Sequence, residues 1–168
     1  MLLPKAFAQS NLEFFFGKTQ STQNATITKV ITADTIELDT GETIKLIGVK
    51  ALEVHRKKGR IERDKYGFEK KGDVSAEIPL ETRLLEDATA LLQGKSIRLE
   101  YDARTKDEAL NTLAYAFFKD SNSMINATLL ELGLCNLQIR IPNIKYRELL
   151  RAAYQKGRSE QEGIHGQH

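Results

Sequence analysis

The sequence predicts a mainly β fold with helices, an α+β architecture in which five Greek-key strands close a small barrel carrying about three α-helices. Three observations point there. Short β-branched runs with apolar alternation follow one another from Ala25 to Val49 and return at Ser96–Tyr101 and Leu113–Phe118. An amphipathic helical stretch separates these two groups of strands, and two more helical stretches close the chain. Their order, with a three-strand meander before the first helix, is that of a small Greek-key barrel.

The elements follow in chain order. Residues 1–24 are read as a tail, polar after residue 10 apart from Phe14-Phe15-Phe16, which would dock it loosely. Ala6-Phe7-Ala8 has the small-x-small pattern of an export cleavage site. It reads either as the stub of such a signal, with a periplasmic or secreted location, or as a loose terminus in a cytoplasmic protein. Strands are expected at Ala25–Ile31, Thr35–Leu38 and Thr43–Val49, with Asp39-Thr-Gly-Glu42 as a hairpin turn in which Gly41 takes positive φ. Residues 54–79 read as a long exposed insertion. A helix opens at Pro79 or Leu80, buries Leu80, Leu84, Leu85, Ala88, Leu91 and Leu92, and stops at Gly94. The strands at 96–101 and 113–118 flank a polar loop, Asp102–Asn111. Ser123 is expected to cap a helix ending at Gly133. The last helix begins after Pro142-Asn143, with Tyr146, Leu149, Leu150, Ala153 and Tyr154 on its inner face. One domain, 25–164, is therefore expected.

Composition narrows the function. The 168 residues carry 25 Lys+Arg against 23 Asp+Glu, a formal charge of +2, which permits anionic partners without requiring them. A single cysteine, Cys135, excludes a disulfide scaffold and a multi-thiolate metal centre. No apolar run approaches the ~18–20 residues of a membrane span, and a monomer is expected. The charge is unevenly placed: Arg56, Lys57, Lys58, Arg60, Arg63, Lys65, Lys70 and Lys71 crowd the insertion against Glu62, Asp64, Glu69 and Asp73. This surplus of roughly four charges offers a surface for nucleic acid, or simply a solvated loop.

At Ile31-Thr-Ala-Asp-Thr-Ile36, Ile44-Lys-Leu-Ile-Gly-Val49, Gly94-Lys-Ser-Ile-Arg-Leu-Glu-Tyr-Asp102, Leu113-Ala-Tyr115, Ile125-Asn-Ala-Thr-Leu-Leu-Glu-Leu-Gly-Leu134 and Pro142-Asn143 the sequence resembles the thermonuclease family, the staphylococcal nuclease-like domains. The resemblance runs from Ala25 to about Ile164. It implies an OB-fold barrel and hydrolysis of DNA and RNA phosphodiesters with one calcium ion. That chemistry needs oxygen ligands for a hard cation, a carboxylate to activate water and guanidinium groups to grip a phosphorane-like transition state.

Carried over residue by residue, the resemblance places the family's metal-binding aspartate on Asp34, while the earlier aspartate and glycine of that signature are Thr32 and Ala33. The general base falls on Glu53. Lys50 stands at the second metal carboxylate and Ala51 at the carbonyl-donating threonine. The first arginine is Lys45, without the bidentate fork; the second is Asn111 or Leu110. The two tyrosines that pack a nucleotide correspond to Gln138 and Arg140. The substitutions predict a catalytically degenerate member, a pseudoenzyme, in which the Lys50 ammonium replaces the metal and pairs with Asp34 or Glu53. Nucleic acid, contacted through the basic insertion and Arg140, or a protein is then its partner. The alternative is an active nuclease using Glu53, Lys45, Asp34 with Ca2+, and Arg104 for the missing arginine. The plainer readings are an Asp34 side chain bonded to turn amides and a Glu53 paired with a lysine.

Leu38-Asp39-Thr40-Gly41 also matches the core of the aspartic-protease signature. Glu42 follows where a small residue is wanted, there is one copy, and the flanking strands already form a hairpin.

Overall fold

The computed structural model describes residues 23–53, 65–66 and 78–166. The tail with Phe14–Phe16, the Ala6-Phe7-Ala8 pattern, and all of the basic insertion except Lys65 and Tyr66 lie outside these residues.

Alternating apolar residues build the barrel: β1 (Gln23–Thr32), β2 (Thr35–Leu38), β3 (Thr43–Leu46), β5 (Ser96–Glu100) and β6 (Thr112–Phe118), closed in the order β1-β2-β3-β6-β5. In β2 and β3 every second side chain is buried, Ile36, Leu38, Ile44 and Leu46, the period-2 signature of a half-buried strand. β3 and β6 run parallel, and the other pairs are antiparallel. The five-stranded barrel and its three helices follow the sequence expectation, and Gly41 takes φ 79° in the β2–β3 turn.

The expected strand 43–49 is broken. Gly48, at φ 83°, turns the chain out of the barrel, and a Cβ there would collide with the Leu150 side chain. Its continuation, β4 (Gly48–Ala51), pairs antiparallel with β7 (Cys135–Gln138) in a separate two-stranded sheet. β7 escaped the sequence reading because Cys-Asn-Leu-Gln carries little β texture; its partner strand, not local propensity, makes it a strand. β1 likewise begins within the segment read as tail, held by β5.

α1 (Leu80–Leu92) buries Leu84, Ala88 and Leu92. α2 (Ile125–Glu131) is entered through Met124 without a side-chain cap. The expected Ser123 cap is therefore incorrect: its hydroxyl bonds Ser121 Oγ at 2.8 Å, a local partner that competes with capping. α3 (Arg147–Ser159) starts later than expected, because Ile144–Tyr146 still form a turn after Pro142-Asn143. The shift leaves Leu150 and Ala153 buried but turns Leu149 outward, 46% exposed, correcting its placement on the inner face. α3 lies tightly on α2, since a Cβ on Gly157 would meet the Leu130 carbonyl oxygen.

The chain end is tied back by Ile164 N–H donating to the Gly133 carbonyl at 2.9 Å. Beside that tie His165 sits edge-on to Tyr154, 5.0 Å between ring centres, with Nε2 buried and unbonded among the described residues. Burial, and then the Arg158 charge, push the imidazole pKa down. The unfolded chain therefore takes up this proton more readily than the folded one. The contribution of His165 is fully present above the ordinary histidine pKa of ~6.5 and is lost as pH falls toward the lowered folded value. Thermal unfolding between pH 7 and 5 should show declining stability, and His165→Phe should flatten that decline; an unchanged slope in the variant would contradict the assignment.

Candidate nucleic-acid interface and degenerate metal cleft

Two cavities meet at Lys45, which lines both. The larger, about 370 Å³, lies between the β1–β2 turn, the end of β4 and the start of α1. A register shift in β1 sets Thr32 opposite Thr35, leaving Ala33 and Asp34 as the turn. Asp34 is 6% exposed. Its Oδ1 accepts hydrogen bonds from the Thr32 and Thr35 hydroxyls, at 2.5 and 3.0 Å. The plainer reading of Asp34 is corrected in its detail: threonine hydroxyls, not turn amides, hold the carboxylate. Thr32 occupies the position of the lost family aspartate and supplies a donor where a ligand would stand.

The bend at Gly48 carries β4 to the other side of the cleft, where Lys50 is opposite Asn136 and Ala51 opposite Cys135. Lys50 Nζ lies 2.9 Å from Glu53 Oε1. Of the two partners expected for Lys50, Glu53 is the one paired. Such a half-exposed pair adds little to stability, about 0–1 kcal/mol. Its consequence is chemical, because the carboxylate matching the family's base is neutralised by an ammonium standing at a metal-ligand position. Burial, and then the Asp34 charge, raise the thiol pKa of Cys135 at the back of this cleft, so it stays a neutral, buried filler.

These residues do not fit a calcium ion. Ca2+ takes six to eight oxygen ligands, and here one carboxylate oxygen is engaged by two hydroxyls while a cation faces the other carboxylate. Among the described residues no group of three or more His, Cys, Asp or Glu side chains could hold a metal. Glu81, on the first turn of α1, also lines the cleft. It went unnoticed in the sequence because the long insertion separates it from the other residues of the cleft.

The smaller cavity, about 100 Å³, lies between β3, the 102–111 loop and the segment after β7. Asn143 fastens the two loops together: Arg104 N–H donates to Asn143 Oδ1 at 2.7 Å, and Asn143 Nδ2 donates to the Arg104 carbonyl at 2.8 Å. Lys45, Arg104, Gln138 and Arg140 line it, with the acids Asp107 and Glu108. Arg104 is committed, its Nε donating to the Lys106 carbonyl at 2.8 Å and its Nη2 pairing with Glu108 at 3.0 Å. Asn111 faces inward on its own loop, its Nδ2 donating to Asp107 Oδ2 at 3.0 Å, and Leu110 is exposed at φ 65°. Burial would raise the Asp107 pKa, but hydrogen bonds from Asn111 and from the Ala109 amide, with the Lys45 charge, bring it below the usual value. Of the insertion only Lys65 is described, its ammonium 5.0 Å above the Tyr66 ring.

Residues 43–167 match the family model described as Staphylococcal nuclease homologue. The chain is also 37% identical over 73 residues to a thermonuclease from Staphylococcus intermedius, an alignment covering 44% of this chain and 42% of that protein. The chain thus spans less than half the length of the curated relative it matches.

Proposed function

Because the chain belongs to the staphylococcal nuclease homologue family, we propose that it is a nuclease-like barrel that binds nucleic acid without calcium-dependent phosphodiester hydrolysis. One observation carries this reading: Lys50 Nζ is 2.9 Å from Glu53 Oε1. The pair puts positive charge where a divalent cation would need a carboxylate. It also lowers the basicity of the group that would activate water. At 4 Å and an effective dielectric of 20, a unit charge pair is worth ~4 kcal/mol before screening, and a divalent ion would meet about twice that from one ammonium.

The hydrolytic alternative also needs a second cation at the scissile phosphate. Arg104, its candidate, is held by Glu108 and the Lys106 carbonyl. What the chain retains is suited to binding: Lys45 between the cavities, Arg140 at the second, and the basic residues Arg56, Lys57, Lys58, Arg60, Arg63, Lys65, Lys70 and Lys71 between β4 and α1. Loss of both platform tyrosines removes stacking worth ~1–3 kcal/mol per base, so phosphates carry the contact. Fluorescence anisotropy of a labelled single-stranded oligonucleotide in EDTA, at 50–200 mM salt, tests the reading. Binding that weakens with a log–log slope of about −0.7 per phosphate contact is expected. No binding at 50 mM salt would overturn it and leave a protein partner as the occupant.

A further inference from the structure

We propose that Arg140, together with Lys45, forms a phosphate-binding subsite in the smaller cavity, with Arg140 supplying from the segment after β7 the positive charge that Asn111 does not supply from its loop. The proposal rests on the nucleic-acid reading above for its ligand, one phosphate group of a nucleic-acid strand. Its site stands on geometry alone.

The argument is one of accounting for charges around the cavity. Three cations and two acids line it. Arg104 and Glu108 are paired with each other. Asp107 is engaged by its own loop: Oδ1 accepts from the Ala109 and Asn111 amides, both at 2.9 Å, and Oδ2 accepts from Asn111 Nδ2. Two cations remain. Among the described residues neither the Arg140 guanidinium nor the Lys45 ammonium has a printed ion pair or side-chain hydrogen bond, and Lys45 acts on Asp107 only through its charge. They approach from different strands, β3 below and the post-β7 segment above, and Asn143 fixes the distance between the walls by bonding both main-chain groups of Arg104. A guanidinium offers a planar fork to two phosphate oxygens, and an ammonium a point charge to a third.

The volume suits this occupant. About 100 Å³ corresponds to roughly three waters at ~30 Å³ each in the liquid, space for a tetrahedral oxyanion and not for a nucleobase. With no aromatic side chain lining the cavity, recognition is of phosphate and indifferent to base.

The test compares wild type with Arg140→Gln, Lys45→Gln and Arg104→Gln, using two probes. The first is a labelled oligothymidylate with or without a 5′-phosphate, read by anisotropy against salt. The second is inorganic phosphate, read by amide chemical-shift changes. Arg140→Gln and Lys45→Gln should each weaken oligonucleotide binding about 5–10-fold and reduce the salt slope by about 0.7. They should also abolish the phosphate-induced shifts at 138–143. Arg104→Gln, whose guanidinium is already committed, should stay within about twofold of wild type. A stronger response from the 5′-phosphorylated strand assigns the subsite to a strand end, and equal responses assign it to an internal phosphodiester; both uphold it. Wild-type binding of oligonucleotide with Arg140→Gln unchanged in affinity and slope overturns the subsite while the nucleic-acid reading stands. Arg140-dependent phosphate shifts without oligonucleotide binding uphold the subsite and overturn that reading. No response of wild type to either probe overturns both.

Discussion

Replacing Lys50 with aspartate is expected to turn a protein indifferent to calcium into one whose unfolding temperature rises with it. The substitution removes the ammonium 2.9 Å from Glu53 and returns a carboxylate to the cleft holding Asp34. The change of two charge units acts in the direction that attracts a divalent cation. The backbone has little reason to move, since β4 is held to β7 by main-chain pairing at 48–51 and the Lys50 side chain is about one-third exposed. A ligand at about 10–100 times its Kd stabilises the folded state by ~1.4–2.7 kcal/mol. For a domain of this size that raises Tm by about 3–10 °C. Differential scanning fluorimetry with 0–10 mM calcium, run on wild type, Lys50→Asp and Lys50→Met, reads it out. Lys50→Met removes the cation without adding a ligand and should respond less than Lys50→Asp. An equal calcium response in wild type and Lys50→Asp would show that Lys50 does not exclude the ion.

Asn126→Ala should be among the most damaging single changes in the barrel. Asn126 is fully buried, and its side chain joins three elements. Oδ1 accepts from the Ala116 amide of β6 at 2.9 Å, and Nδ2 donates to the Ile47 carbonyl at 2.8 Å, at the junction of β3 and β4. Alanine leaves both main-chain groups buried without partners, at ~1–3 kcal/mol each. A loss of about 2–5 kcal/mol is expected, read from urea unfolding as a lower midpoint with little change in slope. Because Ile47 immediately precedes the Gly48 bend, any protein that stays folded should also loosen β4, with faster amide exchange at 48–51. A loss below about 1 kcal/mol would mean that water replaces the amide.

Both residues belong to motifs quoted from the sequence, yet only one was legible as to role. Lys50 announced itself by charge: a cation where neighbouring residues imply a carboxylate can be read without coordinates, and pairing with Glu53 was one of its two expected outcomes. Asn126 is an ordinary helix residue in sequence, and its contacts span 10 and 79 positions, beyond any local pattern. The same division runs through the fold. Gly41 and the alternating strands β2 and β3 were readable because turn chemistry and side-chain period are local. β7 and the exit of β4 were not, since Cys135–Gln138 becomes a strand only because Gly48 delivers a partner. Ser123 misled because a short-range serine pair is as attractive to its hydroxyl as a helix end. At the smaller cavity the sequence pointed to Arg140 among the contacts but also to Arg104 as the replacement cation. The geometry separates them, because Glu108, four residues after Arg104, ties it off.

The central claim is that this barrel retains the family's scaffold while its calcium-dependent hydrolysis is gone. Incubating wild-type protein with an end-labelled single-stranded oligonucleotide, in 10 mM calcium and in EDTA, and resolving the products on a denaturing gel tests it most directly. The account predicts an intact strand in both lanes at protein concentrations that saturate binding. Calcium-dependent fragments that disappear in Glu53→Gln would contradict it.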